Sequence, residues 1–425
     1  MVSTALLGAA IRCQVPPGCP SPGRLVCEER MNTIRHLAEP AGTLRRVCAM
    51  ILVCALVAGC STRPGPGSLE TSTAAEQGAE NHTILIATTR ERSDKPATYF
   101  NGERATHPNY AIATVSVPPT HKPGKIEWPS RPPGDPATDF TLRGAAYIKD
   151  RAAFKSALNS ELAKRKPADR EAFVFVHGYN TRFAEALYRF TQVVHDSRAP
   201  VVPVLFTWAS RGSVTDYVYD MNSAQIARDA LEQTLRDIAA TGVKRINILA
   251  HSMGSYLLVE TLRQISISKN PINQDRFGII ALAAPDIDID LFKQQLKRAG
   301  KPDKPFLILV SKDDRALKAS SLLAGGKQRV GRYGNTEELA SLGAIVIDLT
   351  KLSGENAANH DKFAQIARIA PELRDTLLNA RLGENVGAPS PTGGRLGDII
   401  GRGANIVLTV PKTILNAPIS VLAGQ

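Results

Sequence analysis

The sequence predicts an α/β fold class, with a mostly parallel central sheet and helices on both faces. Three observations lead there. Beyond residue 137, short apolar runs alternate with helix-length segments, the pattern of strands joined by crossover helices. One of these runs, Ile246–Leu249, continues as Ala250-His251-Ser252-Met253-Gly254 and passes directly into a helix-forming segment. The composition, 43% hydrophobic and 22% charged over 425 residues, is that of a globular chain with room for one large α/β domain or two smaller ones.

Taken in order, residues 1–30 are rich in Pro and Cys without a coherent pattern and read as an upstream extension, with translation starting at Met31. Residues 31–59 carry Arg45-Arg46, an apolar run from Val47 to Ala58 and small residues before a cleavage point, the layout of a secretory signal peptide. That run is short for a membrane span. Val57-Ala58-Gly59-Cys60 resembles a bacterial lipobox. The resemblance implies cleavage before Cys60 and a diacylglycerol on its sulfur. With Ser61 following, it implies the outer membrane of the cell envelope, on the periplasmic side. Residues 60–81, mostly Ser, Thr, Gly, Pro, Ala and Glu, read as a flexible tether. The folded domain is expected over 82–380 and a Gly/Pro/Ser-rich linker over 381–395. The apolar tail 396–425 either packs on the domain or lies on a membrane surface, and packing is the preferred reading.

Within the domain, Thr83–Thr88 and Ala111–Val117 read as strands, and the Pro/Gly-rich stretch 118–137 as loop. A helix over Ala152–Lys166 leads to strand Ala172–Val176, and a helix over Phe183–His195 to strand Val201–Thr207. A longer helix, Ser223–Ala240, precedes Arg245–Leu249. Strand Gly278–Ala283, helix Leu291–Arg298, strands Phe306–Val310 and Ala344–Leu349 and a final helix from about Lys362 complete the pattern.

The formal charge is +12, yet basic residues are scattered and aromatics make up only 5%, so no nucleic-acid surface is expected. A solvated basic surface or loose attraction to anionic lipid fits better. All six cysteines lie at or before Cys60, which leaves the domain without a Cys nucleophile, a Cys-ligated metal or a disulfide.

Ala250-His251-Ser252-Met253-Gly254 reads as a nucleophile elbow of the G-x-S-x-G type, with alanine for the first glycine. Small residues two positions either side of the serine let strand and helix approach, and the Met253 amide at the helix start points toward an oxyanion. In the α/β-hydrolase fold such a serine is followed in the chain by an acid and then a histidine. Of the eight histidines only His360 lies beyond Ser252, in a loop between the last strand and the last helix. Phe306–Val310 runs into Asp313-Asp314, and Asp314 is chosen as the acid. Asp313 is the close alternative, and the loop holding Asp286 and Asp288 a further one. The second oxyanion donor is expected from Tyr179 N–H, after Phe173-Val174-Phe175-Val176-His177-Gly178. His177 and His251 are assigned structural parts, and Trp208 either lines the pocket rim or simply packs.

These stretches, together with Thr207-Trp208-Ala209-Ser210 and Ala284-Pro285-Asp286-Ile287-Asp288, resemble the bacterial esterase/lipase-like α/β-hydrolases grouped as a domain of unknown function. The resemblance covers about residues 83–380 and implies Ser252, Asp314 and His360 as a triad. The expected function is a serine hydrolase acting on carboxylic esters through an acyl-enzyme, needing no cofactor or metal. Its partners are a small-molecule or lipid ester and the membrane. Thioesterase, peptidase or acyltransferase chemistry remains open on the same triad, and a non-catalytic envelope binding or scaffold protein is the rival from another class.

Overall fold

A computed structural model describes residues 63–64, 67–299, 304–352, 354, 358–369 and 407–409. The expected upstream extension, signal peptide, Cys60 and linker 381–395 lie outside the described residues, as does all of the tail except 407–409. The strands are β1 (Glu80–Arg92), β2 (Phe100–Val117), β3 (Thr141–Ile148), β4 (Glu171–Val176), β5 (Val202–Thr207), β6 (Arg245–His251), β7 (Phe277–Ala283), β8 (Phe306–Val310), β9 (Ala344–Asp348) and β10 (Val407–Thr409). The helices are α1 (Arg151–Ala163), α2 (Phe183–Ser197), α3 (Tyr217–Ile226), α4 (Arg228–Ala239), α5 (Met253–Ile267), α6 (Ile289–Ala299), α7 (Arg315–Leu323) and α8 (Thr336–Ser341).

The described strands form one sheet in the order β10-β9-β8-β7-β6-β4-β5-β1-β2-β3. From β1 through β5, β4, β6, β7 and β8 to β9 every pairing is parallel, while β2, β3 and β10 add antiparallel edges. Buried parallel strands must be apolar on both faces, and β4 is built so. Ala172, Val174 and Val176 join the core cluster under α1, α4, α5 and α6, while Phe175 joins the one under α2. The fold is an α/β-hydrolase fold with helices on both faces, as expected.

Several elements differ from the expectation. Strand β3 was not anticipated, because Arg143-Gly144-Ala145-Ala146 is weak in β-formers and its order comes from pairing with β2. The single helix expected over 223–240 is two helices, α3 starting earlier at Tyr217 and the pair meeting at Ala227. From Lys362 the backbone is 3₁₀ through Ile369.

Part of the stretch expected as a free tether is packed. Leu69 is buried in the α2-side core, Tyr188 Oη donates to Ser68 O at 2.7 Å, and Ser72 N–H donates to Leu142 O at 2.8 Å. Leu69→Ala should therefore cost about 2–4 kcal/mol, read as a lowered urea midpoint. A tether without contacts would leave that midpoint unchanged.

Candidate active site

Strand β6 ends at His251 and helix α5 begins at Met253, so Ser252 occupies the turn alone, with φ 53° and ψ −123°. A non-glycine residue in this region is strained and persists only where its surroundings hold it. Ser252 N–H donates to Ala283 O at 2.9 Å, and Asp286 N–H donates to Ser252 O at 3.2 Å. The glycines are steric requirements. A Cβ on Gly254 would lie 2.3 Å from His177 O and 2.6 Å from Val176 O, and one on Gly178 would lie 2.8 Å from Ser252 Cβ. The loop after β4 thus runs directly against the serine.

His360 is brought to the same place from the far end of the domain. Its Nδ1 lies 2.6 Å from Asp314 Oδ2, with the carboxylate fully buried. Burial opposes the charged imidazole, but the Asp314 carboxylate outweighs it and the His360 pKa is raised. Asp314 also caps α7, its Oδ1 accepting Leu317 N–H at 2.9 Å, so its rotamer is held from the helix side. His251 ties this loop to the elbow: its Nε2 lies 3.1 Å from His360 O, and the two rings are 4.6 Å apart. Burial drives the His251 pKa well below the ordinary value, so the ring is neutral and Nε2–H is the donor.

The alternative acids are engaged elsewhere. Asp313 accepts from Lys362 Nζ at 2.7 and 2.9 Å, from Asn359 Nδ2 at 2.9 Å and from Ser311 Oγ at 2.5 Å. Those bonds fasten the loop around His360, and against the effect of burial they hold the Asp313 pKa low. Asp286 is buried beneath the elbow, accepting from Ser320 Oγ at 2.5 Å and Tyr217 Oη at 3.2 Å and pairing with Arg329 at 3.1 Å. Asp288 accepts the Asp290 and Leu291 amides at the start of α6.

Met253 is the first residue of α5, so its N–H has no intrahelical acceptor. Tyr179 follows Gly178 in the loop that faces the serine. The loop's shape comes from a buried network of which the sequence marked only His177 and Trp208. His177 Nδ1 donates to Gly178 O at 2.8 Å and its Nε2 accepts Trp208 N–H at 3.1 Å, an assignment consistent with a neutral ring. Burial and then Arg90 lower the His177 pKa to about 3. Trp208 is fully buried, stacked on His177 with its indole N–H on His177 O at 2.9 Å. It packs and does not reach a pocket rim.

Arg90 sits where the β1–β2 register shifts, a bulge that re-aims its side chain inward. Its guanidinium donates to Thr181 O at 2.6 Å, Ser210 O at 2.7 Å, Thr207 Oγ1 at 2.8 Å and Asn101 O at 3.1 Å. Burial lowers its pKa to about 10, against the attraction of Asp220. Asp220, raised by burial, accepts from Ser210 Oγ at 2.5 Å and from the Asn180 and Arg211 amides at 3.1 Å. Arg63 closes the outer side. It pairs with Glu185 through two 2.7 Å bonds and donates to Asn180 O at 2.7 Å and Asn180 Oδ1 at 3.1 Å. Arg90, Asp220 and Arg63 lie in segments that read as strand, helix approach and tether, so no local pattern marks them. Among the described residues, no metal-type grouping of His, Asp and Glu ligand atoms falls at the elbow.

A family model described as "Alpha/beta hydrolase of unknown function (DUF900)" matches residues 150–381. No curated protein matches the chain. Solved structures similar to it include a C6-C4 SN3-inhibited esterase B from Lactobacillus rhamnosis, at 10% identity and TM-score 0.27, covering 67% of this chain and 80% of that one. A C4-C4 SN3 tributyrin phosphonate-inhibited form of the same esterase follows at 9% identity and TM-score 0.26, covering 68% and 80%.

The Gly254 contact is testable without an assay. Gly254→Ala places its methyl against two backbone carbonyls and should cost about 3 kcal/mol or more, measured by urea unfolding. Gly144→Ala, whose Cβ meets nothing within 4 Å, is the control and should lie close to wild type.

Proposed function

The chain belongs to the DUF900 family of alpha/beta hydrolases of unknown function, and we propose that it is a serine carboxylic-ester hydrolase with Ser252, His360 and Asp314 as its triad. The observation that carries this reading is the 2.6 Å bond from His360 Nδ1 to Asp314 Oδ2 in a loop fastened to the elbow through His251. It supports a tautomer with the proton on Nδ1 and Nε2 as the base.

In this reading Ser252 Oγ attacks the ester carbonyl carbon and passes its proton to His360 Nε2. The negative charge on the carbonyl oxygen is met by Met253 N–H and Tyr179 N–H, each worth about 3–4 kcal/mol. Collapse of the tetrahedral intermediate breaks the ester C–O bond, and the alcohol leaves with the proton from His360. Water then attacks the acyl-enzyme, His360 takes its proton, and the carboxylic acid leaves as Ser252 regains its hydroxyl.

The neighbourhood favours an apolar acyl part presented at a membrane. Helix α3, reached through Tyr217 on Ser320 of α7, and the loop before it carry exposed Val214 and Val218, while α7 carries exposed Leu322 and Leu323. Arg63 is also bonded to Gly212 O at 3.0 Å. A lipidated Cys60 would lie three residues before Arg63, its Cα within about 10 Å of the Arg63 Cα at about 3.5 Å per residue. Together with the lipobox-like sequence at Cys60, this supports a protein on the periplasmic side of the envelope with these exposed apolar side chains toward the lipid.

A fluorophosphonate probe should label the wild-type protein and leave Ser252→Ala unlabelled. Failure to label a folded wild type would remove the hydrolase reading in favour of a binding protein. His360 must be neutral to act, and its pKa lies above the ordinary 6.5. The ratio kcat/KM should therefore fall as pH drops through a value above 6.5. Asp314→Asn should cut turnover about 10⁴-fold and shift that limb to lower pH, whereas Asp313→Asn should keep the limb in place. Val218→Asp combined with Leu322→Asp should lower turnover of long-chain esters in vesicles more than that of dissolved short-chain esters. Equal losses on both would separate the rim from lipid recognition.

A further inference from the structure

A second cluster of titratable side chains lies at the opposite edge of the sheet and has no part in the chemistry above. Glu80 and His82 stand two residues apart at the start of β1, and so on the same side of the strand. His195 comes from the last turn of α2. Strand β1 carries Arg90, beside the oxyanion loop, eight residues beyond His82, which separates the two places by about 25 Å.

The geometry points to a metal site: we propose that Glu80, His82 and His195 bind a divalent transition ion of the Zn²⁺ type. His82 Nε2 lies 3.0 Å from His195 Nδ1, and Glu80 Oε2 lies 3.6 Å from the same nitrogen. The three ligand atoms all fall within 4.8 Å of one another. Ligand atoms around tetrahedral Zn²⁺, at bonds of about 2.0–2.1 Å, are about 3.3 Å apart, and the two observed separations bracket that value. The rings are nearly perpendicular, at 89°, and their 3.0 Å contact is a hydrogen bond whose shared proton the ion would replace. Imidazole nitrogen with one carboxylate suits a borderline ion rather than Ca²⁺ or Mg²⁺, which prefer oxygen. Glu80 is largely exposed, leaving an entry path and a fourth position for water.

The neighbouring His121 is not a ligand in this arrangement. Its Nδ1 lies 2.7 Å from Glu127 Oε2 and its Nε2 2.9 Å from Asp196 Oδ1, so both nitrogens donate and neither offers a lone pair. Its ring packs edge-on against His195 at 5.1 Å, orienting that ligand. His121, protonated on both nitrogens, Arg165 and Arg198 bring positive charge near the histidines, and Glu80, Asp196 and Glu127 bring negative charge. The ion would clamp the entry of β1 to the end of α2, two elements whose other ends carry Arg90 and the oxyanion loop.

The test uses the full chain, without a histidine tag, after chelator treatment and titration with Co²⁺ and then Zn²⁺. One equivalent of Co²⁺ should give visible d–d absorption, Zn²⁺ should displace it, and the thermal midpoint should rise. Glu80→Gln, an exposed substitution that preserves the fold, and His82→Ala should each weaken binding at least tenfold, while His121→Ala should keep one equivalent. The proposal is overturned by a wild type without d–d absorption. Unchanged affinity in both Glu80→Gln and His82→Ala would overturn it too, as would loss confined to His121→Ala.

Discussion

The constraint on which the rest depends is the contact of backbone with backbone between the elbow and the loop after β4. Gly254 lies against the carbonyls of Val176 and His177, and Gly178 against the Cβ of Ser252. That contact exists only because β4 and β6 are neighbours in the sheet, paired in parallel from Glu171–Arg245 to Val176–Ala250. Both strands finish level with each other, so the loop after one and the turn after the other meet at the same edge. The strained Ser252 conformation follows. With its amide committed to Ala283 O and its carbonyl to Asp286 N–H, the turn is held from β7 as well.

The apolar sheet cannot hold the first of those loops alone, because residues 177–181 have no ladder partners of their own. Buried polar groups do so instead. Arg90 satisfies carbonyls on both sides of the loop, and Asp220 satisfies amides and Ser210 Oγ. Burying a guanidinium costs several kcal/mol unless its donors are used, and here Nε, Nη1 and Nη2 all find acceptors. His177 completes the arrangement as a neutral ring. A charged one would face Arg90 across 3.4 Å, and burial and that repulsion together keep the proton off. Shape at this site is thus set by polar groups whose partners lie far away in the chain.

That division decides what can be read from the sequence. The strands from β4 to β9 were legible to within a residue or two, since each is a short apolar run bounded by turn-formers, and the alternation with helices implied parallel order. The elbow was legible because its residues are contiguous. The candidate His360 could be singled out by elimination, being the one histidine after Ser252. The choice between Asp313 and Asp314 was not a matter of pattern, because the two are adjacent and both suit a helix start. What separates them is Lys362, whose buried ammonium takes Asp313, a contact spanning 49 residues. Arg90, Asp220 and Trp208 belong to the same class of long-range partners, and β3 was invisible because its partner strand, not its own residues, makes it a strand.

The segment next to the expected anchor illustrates the same point from the other direction. Its composition, rich in Ser, Thr, Gly and Pro, argues for freedom, yet Leu69 is buried and Arg63 forms a two-pronged pair with Glu185 while holding Asn180. Few residues are needed for this, since one buried leucine and one forked guanidinium fix both ends of a short arm. The consequence is directional. If Cys60 carries the proposed lipid, an anchor on a long free tether would let the domain tumble above the bilayer, whereas an arm docked at residue 63 would set which face of the domain is nearest the lipid. That face carries Gly212, Val214 and Asn180, the outer wall of the loop against Ser252. Arg63 is bonded to Glu185 at the start of α2 and to Asn180 in that loop, so the arm and the loop share one fixed group.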